Sequence, residues 1–167
     1  IDRMCAGAMT AVTTGAGGIG FGQLNIVVAG GVEHMGHHPM GFDADPKPRF
    51  LSERIVDAAA LNMGVTAENL HDKYPHLTKE RADQYAVHSQ AKYAAALEAG
   101  NIEPDLVPVA TRDPEHGWGL ATGDELARPG TTLADIANLK TPFRPGGRVT
   151  AGNASPLTDG ATVSLLA

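Results

Sequence analysis

The sequence predicts a layered α/β domain interrupted by a long insertion, and three observations carry that prediction. Residues 6–19 are small and apolar and contain no proline, the composition of a helix packed close to a neighbour. Asn25-Ile26-Val27-Val28-Ala29-Gly30-Gly31 follows as a β-branched run, and a helix leading into such a strand is a unit of α/β layers. A polar, proline-containing stretch then separates this pair from a last apolar strand, Thr162-Val163-Ser164-Leu165-Leu166-Ala167. The order is core, insertion, core.

The only cysteine, Cys5, stands at the start of the first helix. The opening N–H groups of a helix lack internal partners and carry partial positive charge. A thiolate placed among them gains hydrogen bonds and a favourable field, the setting of a nucleophile. A small buried hydrophobe is the other reading of a single cysteine. Gly20 and Gly22 are available to end the helix. Within it Gly15-Ala16-Gly17-Gly18-Ile19-Gly20 spells G-x-G-x-x-G, but the dinucleotide fingerprint runs strand, glycines, helix, and here that order is reversed. Close backbone approach to a neighbour is the reading these glycines favour.

The run at 25–31 is continuous and not alternating, which predicts a strand covered on both faces. Its end delivers Glu33, His34, Met35, Gly36, His37 and His38 into a loop. Asp43-Ala44-Asp45-Pro46-Lys47-Pro48-Arg49 reads as a linker. Thr66 is a candidate N-cap for a short helix, and a longer one is expected from Lys79 to Ala99, capped by Thr78 and stopped by Gly100. Its inward stripe is Ala82, Tyr85, Ala86, Ser89, Tyr93, Ala96 and Leu97; Lys79, Glu80, Arg81, Asp83 and Lys92 form a solvated face. Leu106-Val107-Pro108-Val109 suits an edge strand, and residues 132–139 a two-turn helix. The expected organisation is therefore 1–40 core, 41–144 insertion and 145–167 core.

With 167 residues, 43% hydrophobic and 19% charged, the chain is globular. A formal charge of −6 argues against a nucleic-acid surface. No apolar run is long enough to span a bilayer, and no basic n-region precedes an apolar h-region. A single cysteine excludes an internal disulfide and fits a reducing, cytoplasmic compartment. The chain opens on Ile1 and closes on a core strand, which reads as a piece of a longer protein.

Three chemistries were open on residue type. Cys5 with His34, His37 and His38 suggests metal, but neither C-x-x-C nor H-E-x-x-H accompanies them, so no metal is expected. A Cys–His hydrolase needs a base that the sequence does not single out among seven histidines. Ala151-Gly152-Asn153-Ala154-Ser155 offers small residues and exposed peptide groups against which a thin ligand can lie. An ordinary tight connection is its other reading.

Taken in order, these residues resemble the thiolase family. Cys5-Ala6-Gly7-Ala8-Met9 resembles its nucleophile motif, and the segment from Val27 to Met35 its G-G-x-E-x-M segment. Asn62-Met63-Gly64-Val65-Thr66-Ala67-Glu68-Asn69 is similar to M-G-x-T-A-E-N. Val149-Thr150-Ala151-Gly152-Asn153-Ala154-Ser155 is similar to V-T-A-G-N-A-S. The resemblance implies an α/β thiolase fold: part of the N-terminal half, with its inserted loop domain. It implies a thiolase-type acyltransferase acting in fatty-acid β-oxidation, with Cys5 taking the acyl group of a 3-ketoacyl-CoA and passing it to coenzyme A, or the reverse condensation. Coenzyme A is then a substrate, no cofactor is bound, and the full-length protein is a homodimer or homotetramer.

Residue by residue, the resemblance places Met63 at the acyl pocket, Arg128 near the CoA phosphates and Phe143 against pantetheine. Ala151, Ala154 and Ser155 lie along the pantetheine chain. Departures are Asp2 for asparagine, Gly7 for serine, Asp135 for a serine near the adenine and Pro156 for glycine. Asn62 stands where short-chain biosynthetic members carry histidine, which points to a degradative-type or unusual thiolase. The family's acid/base pair, a histidine in G-H-P and a second cysteine in C-x-G, does not occur, so this polypeptide alone is expected to be inactive. Arg128, Lys140, Arg144 and Arg148 are candidate cations for an anionic ligand. A non-catalytic CoA- or lipid-binding protein and a ketoacyl-synthase-type enzyme are the alternatives.

Overall fold

Helix α1, Gly7–Gly20, lies on a two-stranded antiparallel sheet of β1, Val27–His34, and a second strand, Asp159–Leu166. The computed structural model describes residues 1–42 and 44–167; Asp43, which opens the expected linker, lies outside them. Chain contacts divide the molecule into Ile1–Asp45 with Leu157–Ala167, and Pro46–Pro156. The sequence-based boundaries at 40/41 and 144/145 thus differ from the contact-based ones, and residues 145–156 stay with the second unit. Their backbone is tied to that unit's helices by buried carboxylates, described below.

In the first unit the register runs from Val27 opposite Leu166 to His34 opposite Asp159. Alternation puts Val27, Ala29 and Gly31 on one face, and α1 packs there. A Cβ on Gly15 would stand 2.9 Å from Val27 Cγ1, and one on Gly31 would stand 2.7 Å from Ala8 Cβ. Close helix–strand approach therefore accounts for Gly15, as the reversed order of the fingerprint implied. Gly22, at φ +69, reverses the chain after the helix. The opposite face, with Val28, Val32, Val163 and Leu165, is exposed among the described residues. Among the described residues of this unit, the expectation of cover on both faces holds for the α1 side only. Strand β1 also runs three residues further than expected, so Glu33 and His34 lie within it.

The second unit contains α2, Pro48–Ser52; α3, Met63–Lys73; and α4, Lys79–Glu98. A hairpin of β2, Val109–Asp113, and β3, Gly117–Ala121, follows, then α5, Leu133–Ala137; the C-terminal strand of the first unit is β4. Asn62, not Thr66, caps α3: its Oδ1 accepts from Gly64 N at 3.0 Å. Thr78 caps α4, and Gly100, at φ +70, ends it. The Thr132 hydroxyl and the Asp135 carboxylate cap α5 reciprocally. The edge strand expected at 106–109 starts only at Val109, beyond Pro108. Ile136 and Val149 are buried here, and so are Glu68, Asp83 and Thr150. Asp83 thus leaves the solvated face assigned to it: it is ion-paired at 2.5 Å with Lys79, which is itself largely covered. Tyr85, Ser89 and Leu97, expected inward, are exposed.

Candidate active site

Cys5 lies in a 3-10 turn, Met4–Ala6, immediately before α1, two residues upstream of the helix's first position. The turn is closed by Ala6 N donating to Arg3 O at 3.0 Å and by Gly7 N donating to Met4 O. Met4 sits at φ +49, a left-handed conformation uncommon for a side chain of this kind, and Asp2 Oδ1 accepts from its N–H at 3.3 Å. This reversal presents the Cys5 thiol to solvent. Among the described residues the Cys5 N–H donates to no acceptor and no histidine bonds to the thiol, so the peptide proton beside the sulfur is available to a ligand oxygen. Gly7 is helical at φ −58, and a Cβ on it would meet only Ile1 O at 3.7 Å, so a serine also fits there.

The histidines at the end of β1 are used for structure. His34 Nδ1 lies 2.8 Å from Asp159 Oδ2 across the strand pair, and Gly36 N donates to Asp159 Oδ1 at 3.1 Å. The Gly36 N–H, then His34, hold the Asp159 carboxyl below its ordinary range. His37 stacks on His34 and meets His38 edge-on. No group of three or more His, Cys, Asp or Glu is arranged to hold a metal ion among the described residues.

In the second unit, the Phe143 ring seats on Gly64 at the start of α3, next in sequence to Met63. Met63 is the first residue of α3, and a Cβ on Gly64 would run into the Phe143 ring. Ala151, Ala154 and Ser155 are exposed on the turn after Thr150. Arg128 is exposed on the loop beside α4, its N–H donating to Gln90 Oε1 at 2.9 Å. No hydrogen bond or ring contact joins Arg128 to Phe143 or to the 151–155 turn among the described residues. Two of the four candidate cations are already engaged. Arg144 gives one nitrogen to Asp72 and the other to Asn69 Oδ1 at 2.8 Å, and Arg148 Nη1 lies 3.5 Å from Asp72.

The sequence missed what holds the 148–153 backbone. The buried Glu68 carboxylate accepts from Arg148 N at 2.8 Å and from Val149 N at 2.7 Å. Asn153 donates to Asp83 Oδ1 and to Arg148 O, both at 2.8 Å, while its own Oδ1 accepts from Thr150 N at 2.8 Å. Glu68 stood inside a matched motif, but nothing in its spacing distinguishes a buried carboxylate from a solvated one.

Among the described residues no helix is long and apolar enough to cross a membrane. The family model for the N-terminal domain of thiolases matches residues 1–167. The 3-ketoacyl-CoA thiolases of Pectobacterium carotovorum subsp. carotovorum (strain PC1) and Serratia proteamaculans (strain 568) are each 37% identical over 167 residues, 99% of this chain and 42% of the relative. Human mitochondrial 3-ketoacyl-CoA thiolase superposes on 96% of this chain and 43% of its own, with TM-score 0.77 and 30% identity. The dimeric peroxisomal thiolase of Saccharomyces cerevisiae does so on 98% and 41%, with TM-score 0.82 and 29% identity. The chain spans less than half the length of the curated relatives it matches. A family match over every residue, agreeing folds and a cysteine presented ahead of α1 lead to one conclusion: the chain belongs to the thiolase family and carries the α/β thiolase fold of its N-terminal region.

Proposed function

We propose that the full-length polypeptide carrying this chain is a thiolase-type acyltransferase that moves an acyl group between 3-ketoacyl-CoA and coenzyme A through an acyl-cysteine at Cys5. The observation that carries the reading is the exposed Cys5 thiol beside its own unengaged N–H, behind left-handed Met4. The Cys5 thiolate adds to the keto carbonyl, and the oxyanion accepts from the Cys5 N–H. The carbon–carbon bond breaks, its electron pair passes to the α-carbon of departing acetyl-CoA, and a proton is taken up there. The thiolate of a second coenzyme A then attacks the acyl-cysteine, and Cys5 leaves as thiolate. In this reading the proton carriers are the family's G-H-P histidine and a second cysteine; G-H-P does not occur in these residues, and their only C-x-G, Cys5-Ala6-Gly7, is the nucleophile's own.

In the second unit, Met63, Phe143, Arg128, Ala151, Ala154 and Ser155 are the proposed contacts to acyl-CoA. Their support is the seating of the Phe143 ring on Gly64, the neighbour of Met63, and the exposed small residues of the 151–155 turn. Coenzyme A is a substrate in this reading and no cofactor is needed. The names of the bacterial relatives favour the thiolytic direction. The reading includes a cytoplasmic setting, supported by a free exposed thiol, and a homodimer, supported by the dimeric yeast relative, with a homotetramer as the other assembly.

The test is acyl-enzyme capture. The full-length polypeptide incubated with a 3-ketoacyl-CoA should gain one acyl mass on the peptide containing Cys5, and Cys5→Ala should abolish both adduct and turnover. Turnover that persists in Cys5→Ala would sink the reading. CoA binding without any adduct would indicate a binding protein instead.

A further inference from the structure

We propose that Glu68 and Asp83 are positioning residues for coenzyme A: two buried carboxylates that hold residues 148–155 in the shape that lets a pantetheine chain lie along 151–155. The inference rests on the acyl-CoA reading and extends it to side chains that do not touch the ligand.

Both groups are charged in type and almost wholly covered, at 1% and 4% exposure. A carboxylate withdrawn from water is retained where its hydrogen bonds are made in full. Glu68 does not pair with the nearby guanidinium, since Arg148 Nη1 is turned to Asp72. Its oxygens accept instead from two consecutive peptide N–H groups, Arg148 and Val149, and a Cβ on Gly147 would collide with them. Two adjacent N–H groups aimed at one carboxylate fix the direction of the chain entering Thr150.

Asp83 fixes the other end. Its Oδ1 accepts from Asn153, whose amide also bridges Arg148 O and Thr150 N, so the turn is closed on itself and moored to α4. Its Oδ2 meets Lys79 Nζ, which donates in addition to Ala137 O at 2.9 Å, bringing the end of α5 into the same network. Gly152 is then held against α5: a Cβ there would stand 2.8 Å from Ile136 Cβ. The inner side of residues 148–153 is wholly engaged, while Ala151, Ala154 and Ser155 face solvent. A backbone surface for a thin ligand needs this division, with no rotamer of its own left to fit.

The experiment compares the full-length polypeptide with Glu68→Gln and Asp83→Asn. Calorimetry with coenzyme A and steady-state thiolysis are the readouts, with the iodoacetamide alkylation rate of Cys5 and far-UV circular dichroism beside them. Glutamine keeps the size but turns an N–H₂ toward Arg148 N. Expected are a Kd and KM for coenzyme A about tenfold higher, with kcat at saturation and the alkylation rate within about threefold. Unchanged coenzyme A affinity in a folded Glu68→Gln overturns the proposal. So does a loss of kcat and of Cys5 alkylation together, which marks a general structural role. If Glu68→Gln does not fold, Asp83→Asn decides by the same readouts. An unsubstituted protein that binds coenzyme A without turning over refutes acyl transfer, and calorimetry still decides the positioning role.

Discussion

The ring of Phe143 occupies the space that a side chain on Gly64 would take. Gly64 is the second residue of α3, next to Met63, so the glycine lets an aromatic from a distant loop seat on the helix start. Gly64→Ala should expel the ring. A forced insertion of this kind costs about 1–3 kcal/mol. Denaturant melts of the full-length polypeptide should show that loss, and the KM for acyl-CoA should rise. An unshifted midpoint would mean that Phe143 gives way freely.

Asp159 ties the start of β4 to the turn after β1 through the Gly36 N–H and His34. Its carboxyl is held below the ordinary 3.8, so the tie is complete above that value and weakens as pH falls through the lower folded value. Amide exchange at Gly36 should therefore be protected at neutral pH and lose protection relative to β1 in acid. Asp159→Asn should show the acid behaviour already at neutral pH. Equal protection in both proteins would refute the tie.

The elements read correctly from sequence are those whose ends are written locally. Thr78 and Gly100 bound α4, because a cap is a side chain bonding to its own neighbourhood; the helix expected at 132–139 is found at Leu133–Ala137, with Thr132 as a cap the sequence reading did not name. Asp83 was misplaced because its partners, Lys79 excepted, lie 70 residues away at Asn153. Periodicity treats every carboxylate as solvated. The hairpin was missed since Gly117 and Gly119 interrupt any alternation; Gly117 at φ +79 and the Asp113 carboxylate, accepting from Glu115 N and His116 N, close it. For the candidate site, the place of Cys5 ahead of a helix was legible. The reversal at Met4 was not, because methionine carries no signature for positive φ.

That reversal makes a second stability test. A non-glycine residue in the left-handed region stores about 1 kcal/mol or more. Glycine adopts it without that strain, at some entropic cost in the unfolded chain. Met4→Gly should leave stability level or slightly raised while slackening the turn that presents Cys5. The expected result is slower alkylation of Cys5 by iodoacetamide with the melting midpoint unchanged or higher. A clear loss of stability would show that the Met4 side chain packs productively, against its 79% exposure.

The cations of the second unit divide by what already holds them. Arg144 is committed to Asp72 and Asn69, and Arg148 shares Asp72. The guanidinium of Arg128 has no partner among the described residues, and only its main chain is engaged, with Gln90 and Thr131. An anionic ligand therefore meets Arg128 without first displacing a carboxylate. A hydrogen bond to a charged group contributes about 1.5–3 kcal/mol, so Arg128→Ala should weaken coenzyme A binding about tenfold or more. The loss should shrink for dephospho-coenzyme A and at high salt. Arg144→Ala should instead act on stability, by less than about 1 kcal/mol for an exposed pair, and change coenzyme A affinity little. Calorimetry on the two variants separates the roles: equal losses of affinity would place Arg144 at the ligand and dissolve the distinction drawn from Asp72.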